Sequence, residues 1–203
     1  MSARVAALYV ERGGPYFSMP DVEPWDRERN ALTYAGPLPV VAHPECGPWS
    51  RMRHLYRGSD HVHAPTALNQ VRRWGGILEH PQHSLLWHVA GLPRPGSGER
   101  DAWGGWSIEV QQCDWGHPAR KRTWLYFVGV DSSALRLPAS REPTHWASGS
   151  RGISSTRRGK PVPPGIKVCS ARQRRRTPAA FARWLVELAA GALPRGSRAL
   201  SSP

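Results

Sequence analysis

Three groups of side chains in this 203-residue chain have types and spacings that could do chemistry. Cys46 lies in VVAHPECGPWS, just past an apolar run at 38–42. A thiol at the carboxyl end of a strand in an open α/β sheet stands at the rim where such sheets hold ligands. Deprotonated there it is a nucleophile; kept protonated and half-buried it is packing. Glu79 closes the next apolar run, GGILEHP, and is again followed by a proline. Its carboxylate either shares a crevice with the thiol or is a solvated strand end. Arg120 and Arg122 flank Lys121 after a turn at 115–118, and a greasy run begins at Thr123. Strict alternation puts the two arginines on one face, where they could meet a carboxylate, a phosphate or a base carbonyl.

These groups need elements to carry them. The pattern predicts strands at 5–10, 38–42, 75–79, 107–112 and 123–130. It predicts a short helix within 26–34, a helix from Pro65 to about Arg73 with Gly75 as its stop, and a short helix at 84–89. Residues 91–105 read as a Gly/Pro loop. A last helix starts with Thr177 as N-cap and Pro178 in the first turn. Phe181, Trp184, Leu185 and Leu188 then recur on one face, with Gly191 as the stop. Strands alternating with helices favour an α/β layer fold. The domain reading is an α/β unit over 1–130, a basic Gly/Pro/Ser/Arg-rich segment over 131–176 that reads as a recognition region or a flexible arm, and the amphipathic helix at 177–191 packed back on the domain.

Composition bounds the rest. Hydrophobic residues make up 39%, enough to bury a core. The net charge of +13 points to a polyanion, and nucleic acid is the commonest one. The basic residues concentrate between 151 and 176, a stretch without an acid. Three cysteines without a C-x-x-C pair argue against a disulfide-stapled fold and for a reducing compartment, the cytoplasm of a bacterium or phage-infected cell. No run approaches the roughly 20 apolar residues of a membrane span, so no membrane partner is expected.

The order of the three groups resembles the C5-cytosine DNA methyltransferases. The family's Pro-Pro-Cys loop looks like Pro44-Glu45-Cys46, followed by Gly47-Pro48-Trp49-Ser50. Its Glu-Asn-Val strand end looks like Glu79-His80-Pro81. Its Gly-x-Pro-Gln-x-Arg-x-Arg turn looks like Gly116-His117-Pro118-Ala119 leading into Arg120-Lys121-Arg122, one residue shorter. The resemblance covers about residues 38–130. It implies a Rossmann-like, methyltransferase-type sheet, truncated, in a short phage-like relative. It also implies that a methyl group passes from S-adenosylmethionine to a flipped cytosine in DNA. Cys46 would be the nucleophile, Glu79 the partner of the ring N3, and Arg120 and Arg122 the supports. Gly13 and Gly14 would let the backbone approach the cofactor, with Glu23 or Asp26 as the acid for its ribose. Trp49, Ser50 and the arginines 172, 174, 175 and 176 (Arg172, Arg174, Arg175, Arg176) would contact DNA.

The chain also departs from that pattern. Ala7 and Glu11 stand where the family has Asp and Gly, and Glu45 puts a like charge beside the thiol, which raises its pKa. A relative that keeps DNA binding and has lost the cofactor site is therefore the alternative. Two further constellations are weaker. His43-Pro44-Glu45 matches the H-x-E fragment of zinc nucleobase deaminases, but no P-C-x-x-C follows. His43, Cys46, His61 and His63 could gather a metal ion, at a spacing that fits no standard zinc module.

Overall fold

The structure is a computed structural model and describes residues 4–146, 165 and 167–193. In chain order its elements are β1 (Val5–Leu8), β2 (Val22–Trp25), β3 (Val40–Ala42), α1 (His63–Trp74), β4 (Gly76–Pro81), α2 (Leu85–Val89), β5 (Trp106–Gln111), β6 (Arg122–Val128), β7 (His145–Trp146), β8 (Lys167–Val168), α3 (Ala171–Arg175) and α4 (Ala179–Ala190). Six strands form one sheet in the order β2-β1-β3-β4-β6-β5. The first four are mutually parallel. β6 runs against both of its neighbours, so β5 points the same way as β1 to β4. The chain steps outward from β1 to β2 and then returns to β3 on the other side. That reversal leaves a crevice beyond the carboxyl ends of β1 and β3.

The expected α/β architecture is present, with a mostly parallel sheet consistent with a Rossmann-like arrangement. Helices cover both faces. Ala67, Leu68 and Val71 of α1, with Leu86 and Trp87 of α2, pack on Leu8, Leu78 and Tyr126. Phe181, Trp184, Leu185 and Leu188 of α4 pack on Val41, Ile77, Leu125 and Phe127. The amphipathic helix thus docks on the sheet as its spacing predicts, with Pro178 rather than Thr177 as N-cap and Gly191 as C-cap. Phe181 stacks against Trp184, and Trp115 meets both rings.

Close approach explains the glycine that opens β4. Gly76 has φ +116°, and a Cβ there would lie 1.9 Å from the Val40 carbonyl oxygen. Only glycine lets β4 enter the sheet this near to β3.

Two expectations differ from the structure. β2 is not among the expected strands, because VEPW carries a proline; the strand is at the sheet edge, where a missing donor is tolerated. The helix expected within 26–34 is a turn followed by one 3-10 turn at Ala31–Thr33. Part of the basic segment, 147–164 and 166, lies outside the described residues. Its C-terminal part carries β8, paired in parallel with β7, and α3, whose Ser170 and Gln173 form a capping box.

Candidate active site

The residues that converge do so by sheet parity. Side chains alternate between faces along a strand. On the α4 face, Val41 is followed by His43 just past β3, Ile77 by Glu79 on β4, and Thr123 precedes Leu125 on β6. Glu79 is in register with Leu125, and the next pair but one is Pro81 with Thr123. The turn Pro15–Ser18, after β1, brings Tyr16 to the same place.

A continuous chain of hydrogen bonds joins these groups. The Tyr16 hydroxyl lies 2.6 Å from His43 Nε2. His43 Nδ1 lies 3.0 Å from Glu79 Oε2. Gln112 Nε2 donates to Glu79 Oε1 at 3.0 Å and to Thr123 Oγ1 at 3.0 Å. Thr123 in turn donates to the Lys121 carbonyl. Both carboxylate oxygens of Glu79 are therefore engaged. On the opposite face, His80 Nδ1 meets the Ser84 hydroxyl at 2.7 Å, and the ring stacks on Trp87.

Cys46 opens the 3-10 turn Gly47–Trp49, which contains Pro48. Its carbonyl accepts from the amides of Trp49 and Ser50, at 3.0 and 2.8 Å. Glu45 folds back onto the Gly47 amide. This fixes the half-buried thiol on the rim within reach of the charges of Glu79, Glu45 and Lys121.

The electrostatics follow from burial and neighbours. Burial and then the charges of Glu79 and Glu45 push the Cys46 thiol up to about 11, while Lys121 pulls it back. The cost of Glu45, expected from sequence, is thus present. Burial alone would raise the Glu79 carboxyl; the hydrogen bond and charge of His43, with Lys121 and His80, outweigh it and hold the group down at about 2. Burial lowers His80 to about 4. Burial also lowers Lys121, opposed by Glu79 and Cys46.

Two of the four candidate catalytic residues, Cys46 and Glu79, come together. The two arginines do not join them. Arg120 is exposed and pairs with Glu142 at 3.2 Å, and Arg122 is exposed at the start of β6, with its carbonyl tied to the Gln82 amide. The cation turned inward is Lys121, which lies between them. Its backbone has φ +39°, a left-handed conformation rare outside glycine. Its Nζ donates to the Arg176 carbonyl at 3.1 Å. Face parity on β6 puts Thr123 and Leu125 together, and the left-handed backbone of Lys121, just before the strand, turns its side chain to the same side. The run TWLYFV is apolar on both faces, which hides that parity in the sequence. Tyr16, Gln112 and Lys121 are the site members that the sequence pattern does not single out.

At the neighbouring strand ends lies an open cleft of about 570 Å³ lined by Val10, Glu11, Arg12, Asp26, Arg27 and Glu28. Asp26 caps the turn after β2, accepting from the amides of Glu28 and Arg29 at 3.0 Å each. Gly13 has φ +68° and open space where a Cβ would stand, whereas a Cβ on Gly14 would sit 2.8 Å from the Glu11 carbonyl oxygen. Glu23 is paired with Arg29 and does not line the cleft.

Of the candidate DNA contacts, Trp49 is half-buried against the α1-side core and Ser50 is tied to Gly47 and Met52. Arg172, Arg175 and Arg176 are exposed or nearly so, and Arg174 is half-buried. The metal grouping does not assemble: His63 pairs with Asp60, His61 packs edge-on to Tyr56, and no group of three or more possible metal ligands exists among the described residues. No helix among the described residues is long and apolar enough to cross a membrane. Compared with known proteins, the chain matches no family model, and no curated protein or solved structure shows significant similarity to it.

Proposed function

We propose that the protein is a DNA (cytosine-5) methyltransferase-like enzyme acting through Cys46. The observation that carries this reading is the meeting of a thiol, a carboxylate and a lysine at adjacent strand ends, on the same edge of the sheet as an open cleft beyond the ends of β1 and β2.

The chemistry suits that set. Cytosine C5 is a poor nucleophile. Cys46 rests as the thiol and first gives its proton to solvent; when the thiolate adds to C6, an S–C6 bond forms and the ring double-bond electrons move toward C5 and N3. A proton delivered at N3 by Glu79 neutralises the charge that builds there. Lys121 favours the thiolate. After methylation at C5, loss of the C5 proton to a base re-forms the double bond and expels the thiolate. The target base must leave the duplex to reach a rim site, and a basic protein offers the phosphate grip that this requires.

The cleft residues fit S-adenosylmethionine in part. Asp26 offers a carboxylate fixed by two amides, at the strand end where Rossmann-type sites hold a ribose; Gly13 does not line the cleft, though its backbone is open to approach. When bound, that cofactor would supply the electrophilic methyl group. Glu23 and Gly14 have less to offer, one paired to Arg29 and the other closed against Glu11.

A second reading is a relative that binds DNA without modifying it. The high pKa of the resting thiol and the full engagement of both Glu79 oxygens favour it. Incubation with tritiated S-adenosylmethionine and mixed-sequence DNA separates the two. Label in DNA with the wild type, absent with Cys46→Ala, supports the enzyme. No label with either protein supports the binding module.

A further inference from the structure

The thiol and the carboxylate impose opposite requirements, and the site contains a group that can reconcile them. Glu79 is held ionised, and its charge is a main reason that Cys46 stays protonated. An ionised Glu79 has no proton to give to a ring nitrogen. A protonated Glu79 supplies that proton and at the same time removes the charge that suppresses the thiolate. One proton arriving at Glu79 therefore serves both steps.

The group placed to bring it is His43. This inference rests on the reading of Cys46 and Glu79 as the pair that handles the base. We propose that His43, held by the Tyr16 hydroxyl, is a positioning residue that stores one transferable proton and passes it to Glu79 when a pyrimidine enters.

The geometry sets the direction of the relay. Tyr16 is fully buried and keeps its phenolic proton, because burial and the Glu79 charge push its ionisation far up. A hydroxyl can both donate and accept. While Glu79 is ionised it donates to Nε2 of neutral imidazole protonated on Nδ1; opposite imidazolium, and opposite the Nε2–H imidazole that transfer leaves, it accepts from Nε2–H. Before transfer the proton facing Glu79 Oε2 sits on Nδ1, 3.0 Å away. On transfer from imidazolium the Nδ1–H bond breaks and an O–H bond forms on Glu79. The imidazole left behind is neutral and keeps its remaining proton on Nε2, which donates to Tyr16. Glu79 then gives the proton to the ring nitrogen and is a carboxylate again. When the product leaves, the proton returns by the same path. Gln112 on Oε1 keeps the carboxylate turned so that Oε2 faces His43.

Charged and titratable groups face this hydrogen-bond chain from every side. Tyr16 comes from the turn after β1, Cys46 and Glu45 from the loop after β3, His80 from β4, and Lys121 from the entry to β6. Gln112 and Thr123 complete the wall as neutral groups. Lys121 opposes any second proton near Glu79, which limits the store to one.

The test combines adduct formation with a direct view of the imidazole. Rates of covalent trapping on 5-fluorocytosine DNA, with S-adenosylmethionine present, are measured from pH 5.5 to 8.5 for wild type, Tyr16→Phe and His43→Gln, with circular dichroism as the check of folding. Expected are a wild-type rate that rises with the thiolate and then levels off as His43 gives up its proton, a displaced break in Tyr16→Phe, and an unbroken rise about 10²–10⁴-fold slower in His43→Gln. A wild-type rate and profile in folded His43→Gln overturns the proposal. Nitrogen-15 NMR of the His43 ring reads the resting tautomer independently of any activity. Protonated Nδ1 in the resting neutral form supports the relay, and bare Nδ1 overturns it. If the wild type forms no adduct at all, the reading of Cys46 and Glu79 fails, and the tautomer still decides whether His43 presents a proton to Glu79.

Discussion

His43 Nδ1 and Glu79 Oε2 meet at 3.0 Å across the carboxyl ends of β3 and β4, and this contact sets the ionisation of the whole site. It holds the Glu79 carboxyl down, and the resulting anion adds to burial, the larger cause, in holding the Cys46 thiol up.

The thiol is a readout of its neighbours. Alkylation of Cys46 by iodoacetamide, followed by mass spectrometry against buried Cys113 and Cys169, should reach half-maximal rate near pH 11 rather than 9. Glu79→Gln removes a raising charge and should speed alkylation at pH 8. Lys121→Met removes the lowering charge and should slow it. Arg122→Met should leave the rate unchanged, since that side chain is exposed.

Acid stability follows from the same carboxylate. The folded pKa of Glu79, about 2, lies below its ordinary 4.5. The stabilisation is therefore fully present above about pH 4.5 and is lost as the pH falls toward 2. Its size at neutral pH is on the order of 3 kcal/mol. Thermal melts between pH 5 and 2.5 should show a steep fall in the wild type and a shallower one in Glu79→Gln.

Asp26 should report on the cleft. A cofactor at 100 times its Kd adds roughly 2.7 kcal/mol to the native state, a rise of several degrees in Tm for a chain of this size. Differential scanning with S-adenosylmethionine should show that rise in the wild type. Asp26→Asn, which keeps an acceptor for the turn amides, should lose most of it.

The arginines of α3 and its C-cap bear on DNA affinity. Each phosphate that a side chain ceases to neutralise reduces the slope of log K against log salt by about 0.9. Replacing Arg172, Arg175 and Arg176 by Gln should flatten the slope by up to about 3 in a fluorescence-anisotropy titration. An unchanged slope would show that these side chains do not touch phosphates.

Much of the frame is legible in the sequence because it follows from local chemistry. The apolar runs before Cys46 and Glu79 are strands, Pro65 and Gly75 lie in the first turn and at the C-cap of α1, and the spacing of Phe181, Trp184, Leu185 and Leu188 gives the buried face of α4. The placement of Cys46 and Glu79 at strand ends comes with the strands. What is hidden depends on long-range register. Pro24 disguises β2, which only an edge position tolerates. Lys121 is masked by its two arginine neighbours, because its inward turn depends on a left-handed backbone that the sequence does not announce. Tyr16 and Gln112 lie 63 and 33 residues from Glu79 in the chain, and only the pairing of strands brings them to it.

Covalent capture on DNA containing 5-fluorocytosine, with S-adenosylmethionine present, tests the central claim most directly. Once C5 has taken a methyl group, fluorine there cannot leave as a proton does, so the thiol on C6 cannot be expelled and stays attached. The account predicts a denaturation-resistant protein–DNA band with the wild type, none with Cys46→Ser, and a strongly reduced one with Glu79→Gln. A folded wild-type protein that binds this DNA and yields no such band, or a band that persists in Cys46→Ser, would contradict it.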